Sequence, residues 1–180
     1  MRHLTSADYI RMPWANGRGE TIEILKEVDA EGMLLWRLSV ATVSEDGPFS
    51  LFPGIDRVLT VIEGPGFDVV GEGLVRTCAL WVPVSFPGEL PVRAERTGGK
   101  VSRDLNVMTA RDLPRPEVAV MSGWGVLSSG GLLCLYALGP SEVEGLAVGA
   151  GELVLTERGA RVNGTLVVVR LFRAPPTPAP

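Results

Sequence analysis

The chain has 180 residues, with 17 basic against 21 acidic side chains and a net charge of −4, and that length suffices to bury roughly 70% of the unfolded surface without disulfides or metals. No Lys/Arg cluster breaks the balance, so nucleic acid and acidic membrane are excluded as electrostatic partners. No segment reaches about eighteen uninterrupted apolar residues and the N-terminal stretch lacks a signal-peptide core, so the expected location is the cytoplasm.

Apolar residues come in short runs, broken by Gly, Pro, Asp and Asn at intervals of roughly ten residues, the pattern of an all-β sandwich or barrel. In chain order the predicted strands are Glu20–Leu25, Leu34–Val43, Phe49–Phe52, Val58–Glu63, Gly66–Val70, Cys78–Val82, Val92–Arg96, Glu117–Met121, Gly123–Leu127, Leu132–Leu138, Glu152–Thr156 and Leu166–Phe172. Turns are expected at Asp46-Gly47-Pro48, Pro53-Gly54, Gly64-Pro65-Gly66, Gly98-Gly99, Gly130-Gly131 and Asn163-Gly164, among others. Ser102–Met108 is compatible with a short helix or a structured loop. Pro114-Arg115-Pro116 reads as a crossing between two halves. The expected organisation is therefore 1–113, a first half with a ligand pocket; 114–172, a smaller and plainer second half; and 173–180, a disordered tail that cannot donate a strand ladder.

Period-two alternation sorts the side chains into faces. In Leu34–Val43, Leu34, Trp36, Leu38 and Val40 point one way, whereas Leu35, Arg37, Ser39 and Ala41 point the other. Ser50 shares a face with Phe52, and Arg57 with Leu59, Val61 and Glu63. Should the polar faces line one interior, it would hold Arg37, Ser39, Ser50 and Arg57 beside Phe52, a set suited to a carboxylate. Bland roles stay open for each. Arg57 fits an internal tie to Glu63 or Asp104 as well as ligand capture, Arg37 a solvated outer face, and the serines ordinary cross-strand hydrogen bonds. Trp36, Trp81 and Trp124 are core residues by default. Cys78 and Cys134 lie in apolar runs, as free thiols acting as small hydrophobes.

Catalytic and cofactor signals are sparse. His3 is the only histidine, so a Ser-His-Asp or Cys-His set has one candidate base, and no G-x-S-x-G or G-x-G-x-x-G stands between a strand and a helix. The segment Ser44–Gly66 resembles the metal-binding hairpin of cupin barrels, which carries a His-x-His pair, an acidic residue a few positions on and a glycine-closed turn. Laid on this chain, that spacing falls on Ser50, Phe52, Arg57 and Gly64. A hydroxyl, a phenyl ring and a guanidinium suit no divalent ion, so no metal is expected and an anion takes its place.

Longer blocks extend the likeness: Met12-Pro13-Trp14-Ala15-Asn16-Gly17-Arg18-Gly19-Glu20-Thr21, Trp36-Arg37-Leu38-Ser39, Asp46-Gly47-Pro48-Phe49-Ser50, Phe52-Pro53-Gly54-Ile55-Asp56-Arg57, Phe86-Pro87-Gly88 and Asp104-Leu105-Asn106-Val107-Met108. In their joint order the chain resembles the HutD/Ves family of bicupins. The resemblance implies two jelly-roll-like barrels in one compact unit, no cofactor, a pocket in the first half, and a regulatory or accessory role in histidine utilisation or stress. It implies a small anionic metabolite as partner, formylglutamate being the named candidate. Carried over by position, the ligand-binding candidates are Asn16, Thr21, Trp36, Arg37, Ser39, Ser50, Phe52, Arg57, Asp104 and Asn106. Arg57 would clamp a carboxylate with help from Arg37, Asn106 and Asn16 would take an amide or formyl group, and Asp104 would orient Arg57. Arg18 departs from the glycine the family has there and would narrow a loop at the pocket mouth. The alternative is a metal-independent isomerase, epimerase or hydrolase of a small acid, with Glu63, Asp104 or Tyr9 as base. A third reading is an interaction protein whose sheet edge or apolar second half, Gly123–Leu138 above all, docks a partner, a homodimer being one form of it.

Overall fold

A computed structural model describes residues 1–14 and 19–173. Their seventeen strands are β1 (Arg2–Leu4), β2 (Ile10–Pro13), β3 (Glu20–Val28), β4 (Leu34–Val43), β5 (Gly47–Pro48), β6 (Ile55–Glu63), β7 (Phe67–Gly71), β8 (Leu74–Cys78), β9 (Pro83–Pro87), β10 (Val92–Glu95), β11 (Ser102–Ala110), β12 (Glu117–Leu127), β13 (Leu132–Ala137), β14 (Ser141–Val143), β15 (Leu146–Val148), β16 (Leu153–Thr156) and β17 (Ala160–Leu171). They form three sheets. A six-stranded sheet runs β2-β3-β4-β11-β6-β9 and a four-stranded one β5-β10-β7-β8. A seven-stranded sheet runs β1-β16-β13-β17-β14-β15, with β12 also on β17.

Alternation fixes how the sheets stack. On β4, Trp36, Leu38 and Val40 face outward from the six-stranded sheet and meet Cys134, Tyr136, Val167 and Val169 of the seven-stranded sheet in one buried cluster. That cluster joins the two halves. On the other side of the six-stranded sheet, Leu59, Val61 and Phe86 pack with Phe67, Val69, Cys78, Val92 and Ala94 of the four-stranded sheet, closing the first barrel at one end. In the second half, β13 alternates in the same way: Cys134 and Tyr136 look toward the first half, while Leu133, Leu135 and Ala137 fill a separate interior with Val143, Val154 and Val162. The buried charged residues among those described, Arg57, Asp68 and Asp104, all lie in the first half.

Several local expectations are corrected. Ser102–Ala110 is neither helix nor loop: β11 is a central strand paired with β4 on one side and β6 on the other. Its Asp104, Asn106 and Met108 alternate with Leu105 and Val107, a strand pattern hidden by polar residues on an inward face. Phe49–Phe52 is a loop, and the two-residue β5 precedes it. The Cys78–Val82 strand lies earlier, at Leu74–Cys78, and the chain then turns through Trp81 at φ 66°. Asn163-Gly164 is no turn but lies within β17, with Gly164 opposite Gly123, both at positive φ. Trp124 is 71% exposed, and Trp81 is also exposed, so neither is core. The halves are not separated at Pro114 alone, because β1 crosses over to pair β16, where His3 meets Glu152 at 2.7 Å. The expected disordered tail falls on 174–180, outside the described residues, apart from Arg173, which pairs with Glu27 at 2.8 Å.

Gly64 and Gly66 show why glycine closes the hairpin turn. Both have positive φ, and a Cβ would lie 2.3 Å from the Val101 carbonyl oxygen at the first and 2.2 Å from that of Cys78 at the second. The two cysteines are free, buried and in different clusters. Burial pushes the Cys78 thiol up to about 12 and raises that of Cys134 as well. A thiol reagent at neutral pH is expected to leave both unmodified in the native protein and to label both in denaturant. Stoichiometric labelling without denaturant would contradict this packing.

Candidate functional site

The open end of the first barrel encloses a cavity of about 760 Å³. Its wall is the inward face of the six-stranded sheet, and register sets which side chains share a level. On β11, Met108 lies between Arg37 of β4 and Arg57 of β6, while Asn106 lies between Ser39 and Leu59. The two arginines are thus two strands apart, about 10 Å between backbones, on either side of Met108. The rim comes from Met12, Pro13, Trp14 and the segment Ser44–Ser50. That segment is tied down by Asp46, which accepts from the Thr97 backbone N–H (3.0 Å) and hydroxyl (2.7 Å), and by Phe49 N–H donating to Val92 O at 3.0 Å.

Arg57 is only 3% exposed, yet no carboxylate among the described residues lies within ion-pair distance. Its Nη2 donates to Asn106 Oδ1 at 2.7 Å, and its Nε has no partner. Three phenyl rings surround the guanidinium carbon, with centroids at 4.9 Å (Phe86), 5.2 Å (Phe49) and 5.6 Å (Phe52). Such a cage stabilises the cation through ring quadrupoles and keeps water away. Burial lowers the Arg57 pKa to about 10 against the opposing pull of Asp104, so the group stays charged at neutral pH. Arg37, by contrast, is neutralised: its Nε donates to Glu23 Oε2 at 2.8 Å.

Behind Arg57 the support is a relay. Asn106 Nδ2 donates to Asp104 Oδ1, which fixes the amide so that its oxygen faces Arg57. Asp104 has no exposure, and its Oδ2 has no partner. Burial pushes its carboxyl up to about 7 despite the countering Arg57 charge and the Asn106 hydrogen bond. At the mouth, Trp14 Nε1 donates to Thr21 Oγ1 at 2.9 Å, leaving the Thr21 hydroxyl proton to point elsewhere.

Of the candidates read from the sequence, Thr21, Arg37, Ser39, Ser50, Phe52, Arg57 and Asn106 line this cavity. Asp104 does not line it and hydrogen-bonds Asn106, so that it acts on Arg57 through that amide and through its charge. Trp36 is 1% exposed in the cluster between the halves, on the face of β4 opposite Arg37 and Ser39, so its assignment to the pocket is withdrawn. Asn16 and Arg18 lie outside the described residues. Neither tie forms as an ion pair: Glu63 pairs with Arg103 at 3.3 Å at the exposed end of β6, and Asp104 hydrogen-bonds Asn106 and meets Arg57 only through charge. Sequence reasoning missed Phe49 and Phe86 as ring contacts, Glu23 as the Arg37 partner, and Met12, Trp14 and Met108 as lining. Among the described residues no cluster of His, Cys, Asp and Glu could hold a metal ion. No helix of the described residues is long and apolar enough to cross a membrane.

Comparison with known proteins fits this frame. The HutD family model matches residues 6–162. Protein Ves from Cronobacter sakazakii is 41% identical over 117 residues, covering 63% of this chain and 64% of that protein. A 21.2 kDa protein from the hutC 3′ region of Pseudomonas putida is 35% identical over 144 residues, 78% of this chain and 75% of that one. The match to Ves therefore spans less than two thirds of that relative's length. Among solved structures, HutD from Pseudomonas fluorescens SBW25 superposes with a TM-score of 0.87 at 26% identity, over 97% of this chain and 99% of that one. A cupin 2 conserved barrel protein from Leptotrichia buccalis (TM-score 0.57, 10% identity, 84% and 88% covered) shares the fold alone. With one family model running through both halves, and the same architecture in a solved Pseudomonas relative, the chain belongs to the HutD family of cupin-like proteins.

Proposed function

We propose that the first barrel binds a small carboxylate metabolite, formylglutamate being the leading candidate, and that the protein serves a regulatory or accessory role in histidine utilisation in the cytoplasm. The observation that carries this is Arg57, a buried cation with no carboxylate of the described residues within ion-pair distance, held in a ring cage at the wall of a cavity. Buried guanidinium groups are ordinarily paired directly, because desolvation without compensation is costly. A ligand carboxylate supplies the missing direct partner. Arg57, whose Nε has no partner, and the Ser39 and Thr21 hydroxyls are the donors among the lining residues, while Phe52, Met12 and Met108 accept an apolar body. Of the three bases the enzymatic alternative would draw on, Glu63 is exposed at the end of β6 and paired with Arg103, the Tyr9 hydroxyl donates to Gly151 O at 2.9 Å in the second half, and Asp104 has no exposure and does not line the cavity.

The test is a thermal-shift series with formate, formylglutamate, glutamate and urocanate. At a hundredfold excess over the dissociation constant, a bound carboxylate adds about 2.7 kcal/mol, which for a chain of this size raises the melting temperature by about 5–10 °C. A series in which no carboxylate raises it would overturn the proposal.

A further inference from the structure

We propose that anion capture in this cavity is coupled to uptake of a proton by Asp104, which acts through Asn106 as the positioning residue for Arg57. The proposal rests on the carboxylate-binding function above and adds what controls it.

The geometry is a three-membered chain: Asp104 Oδ1 accepts from Asn106 Nδ2, and Asn106 Oδ1 accepts from Arg57 Nη2. Asp104 is sealed from the cavity and from solvent, and its second oxygen has no donor. An ionised carboxylate in that position has one satisfied oxygen and one bare oxygen, and its countercharge is Arg57. The protonated acid leaves the Arg57 charge uncompensated. An arriving anion therefore meets a locally neutral site when Asp104 is ionised and a cationic one when it is protonated. Linkage makes the effect reciprocal, so the bound anion raises the proton affinity of Asp104 and a rising pH releases the anion.

Other ionisable groups pack around Asp104, and each has a partner or a fixed charge state of its own. The Cys78 thiol of β8 faces it and is held neutral, and Asp68 of β7, which also acts on Cys78, is paired with Arg96 at 3.1 Å. Arg57 of β6 stays cationic, and Arg37 of β4 is paired with Glu23 of β3. The register neighbours of Asp104 on the flanking strands are Ala41 and Val61. The only histidine sits in the second-half sheet with Glu152. Asp104, raised to about 7, is thus the group beside Arg57 poised to titrate near neutrality.

Titration calorimetry with formylglutamate from about pH 6 to about pH 8.5, in two carboxylate-free buffers of different ionisation heat, tests this directly. Affinity is expected to fall by up to about tenfold per pH unit above the Asp104 pKa, with close to one proton taken up per anion there. Asp104→Asn keeps an acceptor for Asn106 without the charge, and is expected to bind as wild type does at the acid end, with no pH slope. A flat wild-type affinity, or a slope retained in Asp104→Asn, overturns the coupling while leaving carboxylate binding intact. No heat at any pH overturns the binding function itself. Should Asp104→Asn not fold, the wild-type Asp104 carboxyl carbon signal decides: a midpoint near neutrality that rises with ligand supports the coupling, and a signal unmoved by ligand overturns it.

Discussion

Arg57→Met is expected to weaken carboxylate binding by about a hundredfold or more, while the unliganded protein stays as stable as wild type or becomes more so. The two effects have one cause. A charge-assisted hydrogen bond contributes about 1.5–3 kcal/mol, and each 1.4 kcal/mol is about tenfold in affinity, so losing the fork of a caged arginine removes most of the recognition. The same caged cation burdens the empty protein. Burying an ion costs several kcal/mol in desolvation, a cost that methionine among Phe49, Phe52 and Phe86 does not carry. Against that, Asn106 Oδ1 loses its donor, at about 1–3 kcal/mol for a buried acceptor. Asp104 loses its countercharge and takes up a proton. Arg57→Lys retains the charge without the planar fork and should fall between the two. Calorimetry and thermal melts on the three proteins decide it. Wild-type affinity in Arg57→Met would show that the carboxylate sits elsewhere.

The outcome of reading the sequence varied from strand to strand for identifiable reasons. β4 was legible to the residue, because Trp36–Val40 alternates apolar with polar within an apolar run that turn residues bound. β11 was not, because Asp104 and Asn106 break the apolar run on the face turned into the barrel. Polar residues on a buried face erase the hydrophobic period by which a strand is read. β1 and β16 lie about 150 residues apart, and nothing local in Arg2–Leu4 marks its partner. β9 begins and ends with proline, which a pattern reading demotes, though as an edge strand it tolerates both. That omission also hid Phe86, whose ring is nearest to Arg57. Read as one strand, Phe49–Phe52 gives Ser50 and Phe52 one face and Phe49 the other, whereas a loop presents all three to the cavity. Arg57 itself was visible by spacing and chemistry together.

Trp36 marks the boundary between site and core, and Trp36→Ala should cost about 3–5 kcal/mol, the range for deleting a fully buried aromatic. The side chain is 1% exposed among Leu38, Leu105, Val107 and Val169, where it holds the first barrel against the second half. Arg173 adds a cation 5.0 Å over its ring and is itself tied to Glu27. Its indole Nε1, however, has no hydrogen-bond partner. Trp36→Phe therefore sheds an unpaired donor along with the lost area and should cost clearly less than Trp36→Ala. Since Arg37 and Ser39 leave β4 from the opposite face, carboxylate affinity in either variant should stay within about threefold of wild type wherever the protein is folded. Urea denaturation followed by fluorescence and far-ultraviolet dichroism gives the stability term, and calorimetry at low temperature gives the affinity. A folded, undestabilised Trp36→Ala that no longer binds would mean that the indole, and not the guanidinium on the other face of the strand, points at the ligand.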